Sequence, residues 1–317
     1  METGRARAIR AVALLLLAPL GAQQAPPGRA AHKRIVLVAG PLSPSHGPLE
    51  HEHNAGVLLL RKCLQGIPAV TADAHLNGWP KDPQAFDGAD AIVIYANGGR
   101  QHLALQEDRL PRVDALAKKG AGIVLIHWAV EPRRDGTGRK EFLDWIGGYF
   151  EIDYSVNPHW EADFRHLPPH PITRGVQPFR IYDEWCYNMR FRDGMTGVTP
   201  ILTAIPAEST LDRPDGTHSG NPYVRAMKGQ PQHVAWAAER PGGGRGFAIT
   251  GAHYHLNWGE DNFRKIVLNA VLWVARAEIP PQGVECAVTA EELQQNLDPK
   301  SAPASRPKAQ GGNQSIP

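Results

Sequence analysis

The sequence GIVLI at residues 122–126, followed directly by His127 and Trp128, indicates the fold of the chain. An uninterrupted apolar run of this length is typical of a strand that is buried on both faces of a parallel sheet. The same pattern occurs in RIVLVAG at residues 34–40 and in ADAIVIY at residues 89–95. Three such strands predict a parallel sheet with helices on its faces.

The segments between and after these strands support an α/β fold. Residues 50–64 and 107–119 are predicted helices, and Pro111 is tolerable in the second because it falls near the first turn. Apolar residues with helical spacing predict a closing helix after residue 262. Between about residues 155 and 250, segments rich in Pro and Gly predict β-rich loop insertions in the second half of the chain.

The N-terminus has the pattern of a secretory signal peptide at residues 1–22. Three arginines precede ten residues that are mostly apolar, and Gly21-Ala22 offers small residues for cleavage. Ten residues are too few to span a bilayer, although an uncleaved anchor is an alternative. We therefore expect an exported protein, periplasmic or secreted, that has no membrane association after the signal is removed.

Beyond the signal, we expect one domain over residues 33–280 and a C-terminal extension at 281–317. The end of that extension is rich in Ser, Pro, Gln and Gly, which predicts disorder. Three cysteines permit one disulfide but do not form a disulfide framework, and no CxxC spacing supports a cysteine zinc site.

Charge and motifs argue against nucleic-acid and nucleotide binding. The whole chain has 34 basic and 32 acidic residues, and loss of residues 1–22 would leave 31 of each. A nearly neutral protein lacks the cationic surface that binds nucleic acid without sequence preference. The sequence GGGRG at 242–246 lacks the Lys-Ser/Thr of a P-loop, so we predict a hairpin turn there and no nucleotide cofactor.

Histidine-rich segments follow the predicted strands RIVLVAG and GIVLI and a further predicted strand, FAITG at residues 247–251. They are SHGPLEHEHN at 45–54, HWA at 127–129 and AHYH at 252–255. Ligands of open parallel sheets bind beyond the carboxyl ends of the strands, so these loops are expected to open on one edge. Neutral imidazole is a common metal ligand and carboxylates complete many sites. The candidate metal ligands are His46, His127, His253 and Glu184.

Each candidate also has an ordinary structural interpretation. His127 and His253 end buried strands, where a packed and hydrogen-bonded histidine is common. His51 and His53 lie at the start of a predicted helix, where solvated or capping roles are usual. No HExxH motif is present, so convergence of the ligands is inferred from topology. Polar and aromatic residues near the same edge are candidate sugar contacts, although aromatic residues are more often core: Asn97, Trp128, His159, Trp160 and His255.

Several motifs together resemble the ThuA-like (trehalose-utilisation) family. They include SHGPLEHEHNAG, NGGR, IHWA, HPITRG, YDE and GRGFAITGAHYH, which occur in the order of the family across about residues 33–280. The resemblance implies a flavodoxin-like, class I glutamine amidotransferase-like fold. Amidotransferases of this fold place a nucleophilic cysteine in the turn after a central strand, where this chain has His127. Because neither Cys63 nor Cys186 occupies that place, amide hydrolysis by a thiol is not expected.

The resemblance also implies carbohydrate catabolism, with a functional link to a sugar 3-dehydrogenase that makes 3-keto sugars. The favoured hypothesis is metal-assisted cleavage of a 3-keto-glycoside, by elimination or hydrolysis. A divalent cation (Zn, Mn or Ca) would polarise the ketone, and His127, Asp183 and His53 are the candidate catalytic residues. The alternatives are a non-catalytic carbohydrate-binding or partner protein and a hydrolase that needs no metal. The exact sugar and the oligomeric state stay open.

Overall fold

The computed structural model describes Met1 and residues 32–300, which contain eleven strands. Seven of them form the main sheet in the order β2-β1-β3-β4-β11-β10-β9. The strands are β1 Lys33–Ala39, β2 Val70–His75, β3 Ala91–Tyr95, β4 Gly122–Ile126, β5 Gly148–Tyr149, β6 His159–Phe164, β7 Phe179–Glu184, β8 Arg190–Phe191, β9 Val198–Ala204, β10 Gln232–Glu239 and β11 Arg245–Ile249.

The main sheet is mostly parallel, which confirms the predicted fold class. Strands β2, β1, β3, β4 and β11 pair in parallel, whereas β10 pairs antiparallel with both β11 and β9. The three predicted apolar strands correspond to β1, β3 and β4 at the centre of the sheet. Every residue of β3 and β4 is buried, because helices cover both faces there.

Helices pack on both faces of the sheet. They are α1 His53–Gln65, α2 Arg109–Lys118, α3 Arg139–Ile146, α4 Pro222–Arg225 and α5 Asp261–Val274. Helices α1 and α5 pack against the side chains of one face, and α2 and α3 pack against those of the other. Because strand side chains alternate between faces, the same β1 strand contributes Leu37 to the first core and Val38 to the second.

The second half of the chain contains the predicted β-rich insertion. Strands β6 and β7 form an antiparallel hairpin in which His159 pairs with Glu184, and β5 and β8 form a second short pair. This hairpin brings the end of β7 to the carboxyl edge of the parallel strands, where Glu184 contacts the side chains after β4 and β11. The sequence analysis did not identify β2, which is mostly half-exposed, or the short helix α3.

The chain after α5 returns to the main domain. Val284 and Leu293 join the larger hydrophobic core, and Cys286 forms a disulfide with Cys63 of α1. The remaining cysteine, Cys186, is free and buried. The predicted signal peptide and the last part of the predicted extension, residues 301–317, lie outside the described residues. Within the described part of the chain, no helix has both the length and the apolar character needed to cross a bilayer.

Candidate metal centre

Four buried side chains converge at the carboxyl edge of the parallel sheet. His51 lies in the loop after β1, His127 directly follows β4, His253 follows β11, and Glu184 is the last residue of β7. One ligand atom from each lies within 4.8 Å of the others. We call these four residues the histidine cluster. Its position agrees with the rule that open parallel sheets bind ligands beyond their carboxyl ends.

The contacts inside the histidine cluster are short and involve one atom of each residue. His51 Nε2 lies 3.0 Å from His253 Nδ1 and 3.3 Å from His127 Nε2. Glu184 Oε2 lies 3.1 Å from His253 Nδ1 and 3.4 Å from His127 Nε2. Three imidazole nitrogens and one carboxylate oxygen therefore face a common point.

The outer hydrogen bonds fix which nitrogens of His51 and His127 carry protons. His127 Nδ1 lies 2.8 Å from the carbonyl oxygen of Thr250 and must donate to it. His51 Nδ1 donates to Asn97 Oδ1 at 2.8 Å, and the Asn97 amide in turn donates to Gln101. In their neutral forms both rings therefore point a lone pair at the cluster, and these two Nε2 atoms are 3.3 Å apart. Two acceptors at this distance repel each other unless a cation or a proton lies between them.

The electrostatics of the site favour neutral His51 and His127 beside an ionised Glu184. Burial lowers the pKa of His127 to about 3, although Glu184 opposes this shift. Burial and the neighbouring histidines also lower the pKa of His51. For Glu184, burial alone would raise the pKa, but the hydrogen bond from His253 and the charges of His127 and His253 lower it to about 2. For His253, burial would lower the pKa, but the hydrogen bond and the charge of Glu184 raise it, so this ring shares a proton with Glu184. A divalent cation, which binds neutral imidazole and carboxylate, would take the place of that proton.

The backbone at the histidine cluster adopts conformations that non-glycine residues rarely take. His51 has φ of 51°, His127 has φ of 60° and Ala252 has φ of 82°. Each such residue costs on the order of 1–3 kcal/mol, and residues of this kind concentrate at functional sites. For His127 the strained turn lies at the end of the central strand β4 and directs the imidazole into the cluster.

Asp183, predicted as a catalytic base, has a different place in the structure. Its buried carboxylate accepts four hydrogen bonds. Three come from the backbone N–H groups of Glu184, Ala252 and His253, and one comes from the side-chain amide of Asn257. These donors occupy the four lone-pair sites of the carboxylate. Asp183 therefore holds the turn that carries His253, and it has no lone pair left for a substrate proton.

The predicted ligand His46 is not among the four residues that converge. Its ring stacks on His51 with ring centroids 3.6 Å apart, and its Nδ1 lies 2.7 Å from the hydroxyl of Ser43. His51, for which the sequence analysis favoured a solvated or capping role over a ligand role, occupies the fourth position instead. The sequence does not show that His51 rather than His46 faces the cluster, because the left-handed backbone at His51 directs its imidazole inward.

Three other predicted residues are buried outside the histidine cluster. His53, predicted as catalytic, begins α1 with no exposed surface, and its ring packs edge-on against Tyr95. His255, predicted to bind substrate, is fully buried in the turn before α5. Trp160 is 3% exposed and donates its indole N–H to the carbonyl oxygen of Trp185 in the core. In these positions none of the three offers a surface to a dissolved sugar.

The remaining predicted contacts lie next to the histidine cluster. Asn97 orients His51, and Trp128 donates its indole N–H to Glu184 Oε2 at 3.0 Å. His159 lies 3.8 Å from Glu184 Oε1 and hydrogen-bonds the hydroxyl of Tyr254. The sequence analysis did not identify Tyr254, which stacks on the exposed ring of Tyr182.

A second buried polar cluster adjoins the loop that carries His51. Lys300 lies 3.4 Å from Glu52 and 3.8 Å from Asp298, and its ammonium group donates to the carbonyl oxygens of Ser43 and Glu50. Asp298 also accepts hydrogen bonds from Ser43 N and from the Asn54 amide. We call Glu52, Asp298 and Lys300 the C-terminal anchor, because it ties the end of the described chain to this loop.

A separate cavity lies at the opposite edge of the sheet, near the start of β4. It measures about 630 Å³, and its lining includes Trp145, Arg192 and Arg240. Both arginines donate to backbone carbonyl groups, for example those of Leu143 and Ala121. Their guanidinium groups therefore stabilise the fold. The titratable side chains that converge on one point lie at the carboxyl edge instead.

Comparisons with known proteins agree with the fold. The sequence model of a family described as ThuA, trehalose utilisation, matches residues 45–274. A solved structure of a protein described as ThuA-like from Bacteroides uniformis is similar with a TM-score of 0.53 and 14% identity, over 80% of this chain and 95% of that one. A protein described in the same way from Parabacteroides merdae has a TM-score of 0.49 and 14% identity, over 81% of this chain and 93% of that one. No curated protein sequence matches the chain.

Proposed function

The chain belongs to the ThuA (trehalose utilisation) family, and we propose that it is an exported enzyme that cleaves a keto-disaccharide or related glycoside with the help of a divalent metal. The family has a carbohydrate-related role by its description. The cleavage, the metal and the export are our proposals.

The observation that carries the proposal is the pair of facing imidazole lone pairs in the histidine cluster. Hydrogen bonds to Thr250 and Asn97 fix the inward nitrogens of His127 and His51 as acceptors, with the buried carboxylate of Glu184 beside them. A divalent cation would relieve this arrangement. Three nitrogen donors and one oxygen donor suit zinc better than calcium, which prefers oxygen ligands.

A cation held by His51, His127, His253 and Glu184 would supply Lewis-acid polarisation of a substrate oxygen. The surrounding residues orient the side chains that would bind the cation. Asn97 and the Thr250 carbonyl group hold two of the imidazoles, and Asp183 fixes the turn of the third. Such outer hydrogen bonds set ring orientation and raise the basicity of the ligands.

Exposed aromatic rings beside the cluster support a sugar as the substrate. Tyr182 is exposed and stacks on Tyr254 with ring centroids 6.0 Å apart, and Tyr254 bonds His159. An aromatic ring has an apolar face that can pack against the apolar face of a pyranose, while its hydroxyl can bond sugar oxygens. Trp128 presents a further partly exposed ring next to Glu184.

Two further observations support export and argue against a thiol mechanism. The disulfide between Cys63 and Cys286 suits an oxidising compartment such as the periplasm. The free Cys186 is fully buried, and burial raises the pKa of its thiol, so it is a poor nucleophile.

The test combines metal analysis with a substrate assay on the purified chain. The protein is reconstituted with zinc, manganese or calcium and incubated with 3-keto-trehalose and with unmodified trehalose. We expect near-stoichiometric metal and conversion of the keto sugar. His127→Ala and His253→Ala should lose both, and His233→Ala on β10 is the matched control.

Two results would contradict the proposal. Absence of bound metal after all three reconstitutions would exclude the metal-assisted reaction. Tight sugar binding by the metal-loaded protein without conversion would instead indicate a carbohydrate-binding protein.

A further inference from the structure

A second histidine–carboxylate pair lies beside the histidine cluster and is not used by the function proposed above. Glu131 Oε1 lies 2.9 Å from His218 Nε2. The Glu131 side chain is 6% exposed, whereas the His218 side chain is 32% exposed. A buried carboxylate that holds one nitrogen of an accessible imidazole is the arrangement that prepares histidine for proton transfer.

The free nitrogen of His218 follows from this contact. With an ionised Glu131 as acceptor, Nε2 carries the proton, so Nδ1 has the lone pair. Nδ1 makes no hydrogen bond to any residue within the described ranges, so a bound molecule can exchange a proton with it.

Two residues join His218 to the ligand Glu184. The ring of Trp128 lies edge-on to His218 with centroids 4.9 Å apart, and its indole N–H donates to Glu184 Oε2. On the other side, Asn157 donates its backbone N–H to the His218 carbonyl group and its amide to Glu184 Oε1, at 3.4 Å and 2.6 Å. Hydrogen bonds and ring packing therefore connect the Glu131–His218 pair to Glu184, although neither residue of the pair belongs to the histidine cluster.

The backbone of His218 also has an unusual conformation. Its φ is 58°, in the left-handed region, although it lies in an otherwise mostly exposed loop. Its ring packs against both Trp128 and Phe150, with centroid distances of 4.9 Å and 5.3 Å, and these two rings also contact each other. Packing and the Glu131 contact thus hold a strained residue in one orientation.

The residues that the sequence analysis predicted as catalytic are less suited to proton transfer than His218. Asp183 has all four lone pairs occupied, His53 is fully buried, and the inward lone pair of His127 belongs to the histidine cluster. His159 is the remaining competitor, because it is 37% exposed and lies beside Glu184. However, both of its nitrogens face protein groups, because Nδ1 is bonded to the Tyr254 hydroxyl and Nε2 lies 3.8 Å from Glu184 Oε1.

We propose that His218, positioned by Glu131, is the proton-transfer residue of the reaction on a keto-glycoside, an inference that rests on the proposed function. The carbon next to the ketone loses its proton to His218 Nδ1. The electron pair of that C–H bond forms a carbon–carbon double bond, and the glycosidic C–O bond breaks. The leaving oxygen takes a proton from the imidazolium or from water, so the elimination needs no further reactant.

The experiment compares metal-loaded wild type with His218→Gln, Glu131→Gln and His159→Gln. Each is incubated with 3-keto-trehalose in D₂O, and NMR follows both product formation and deuterium uptake at C2. We expect His218→Gln to retain its metal and its KM while kcat falls about 100-fold or more, with partial recovery when free imidazole is added. Glu131→Gln should lower kcat less, and His159→Gln should raise KM more than it lowers kcat.

The outcomes separate this inference from the proposed function. Wild type that neither converts nor exchanges the keto sugar would contradict the proposed function, and the role of His218 with it. An active wild type together with an unimpaired His218→Gln would contradict the role of His218 alone. A large kcat loss confined to His159→Gln would assign the proton transfer to His159 instead.

Discussion

The histidine cluster and the C-terminal anchor are both buried polar groups that include a residue of the loop between β1 and α1, but their charges are arranged differently. In the anchor, Lys300 lies between two carboxylates and donates to two carbonyl groups. In the histidine cluster, the lone pairs of His51 and His127 face each other beside the Glu184 carboxylate. The opposite charges of the anchor compensate one another, although Glu52 Oε1 accepts no hydrogen bond from the described residues. In the histidine cluster, by contrast, two acceptors face each other, and only a cation or a proton between them removes the repulsion.

This difference separates the two roles in physical terms. A buried charge is tolerated when its partners compensate for the hydration that it loses on folding. Removal of one partner leaves the other charge buried and uncompensated, which lowers the free energy of unfolding. Buried acceptors that lack a donor keep a strained arrangement that binding can relieve. We therefore expect substitutions in the anchor to change folding stability, and substitutions in or around the histidine cluster to change metal binding.

The largest expected effect is on stability, from Lys300→Met. This substitution leaves the buried carboxylates of Glu52 and Asp298 without their cation, which should lower the free energy of unfolding by about 3–5 kcal/mol. Urea unfolding of the metal-free protein measures it. The control is Lys228→Met, which breaks the exposed pair with Glu208 and should cost less than about 1 kcal/mol. Equal losses in the two variants would contradict the assignment of the anchor.

The disulfide offers a second way to separate the two regions. Replacing Cys63 and Cys286 together by Ser removes a crosslink between residues 223 positions apart, and the free energy of unfolding should fall by about 2–4 kcal/mol. Metal affinity should stay unchanged, because neither cysteine contacts the histidine cluster. A reducing agent should destabilise wild type to the same extent and leave the double variant unaffected. Weaker metal binding in the double variant would show that the two regions are coupled.

The smallest expected effect is a change of metal affinity from Asn97→Ala. The substitution removes the acceptor that orients His51, and loss of such an outer hydrogen bond weakens metal binding about 10- to 100-fold. Competition with a chelating dye measures the affinity. Asn262→Ala at the start of α5 is the control and should bind metal like wild type. Unchanged affinity in Asn97→Ala would argue against His51 as a ligand.

The central strands were predictable because burial on both faces leaves an unmistakable pattern. GIVLI and ADAIVIY contain no polar side chain that could face water within β4 and β3, and both segments form strands at the predicted places. Strand β2 was missed because it lies at the sheet edge, where only Val70 is buried. An edge strand need not show the apolar run that defines a central one.

The candidate site was predictable in part, for a related reason. Residues at or shortly after the ends of central strands are placed near the sheet edge by those strands. His127 directly follows β4 and His253 lies in the turn after β11, so both lie at the carboxyl edge as expected. Residues in longer loops depend on backbone turns that the sequence does not reveal. Left-handed backbone at Leu49 and His51 accompanies the inward turn of His51, while His46 stacks outside. In the same way, the exposed Tyr182 and the Glu131–His218 pair gave no sequence signal.

The sequence by itself determined the parallel sheet, its functional edge and the histidine-rich character of that edge. These follow from apolar runs and from the residues at strand ends, which are local properties of the chain. Only the tertiary structure decided that His51 lies beside His127, Glu184 and His253. It also decided that Asp183 accepts four hydrogen bonds and that Lys300 pairs with Glu52 in the anchor. These contacts join residues far apart in the sequence, so they depend on how the loops pack and on which lone pairs are already satisfied.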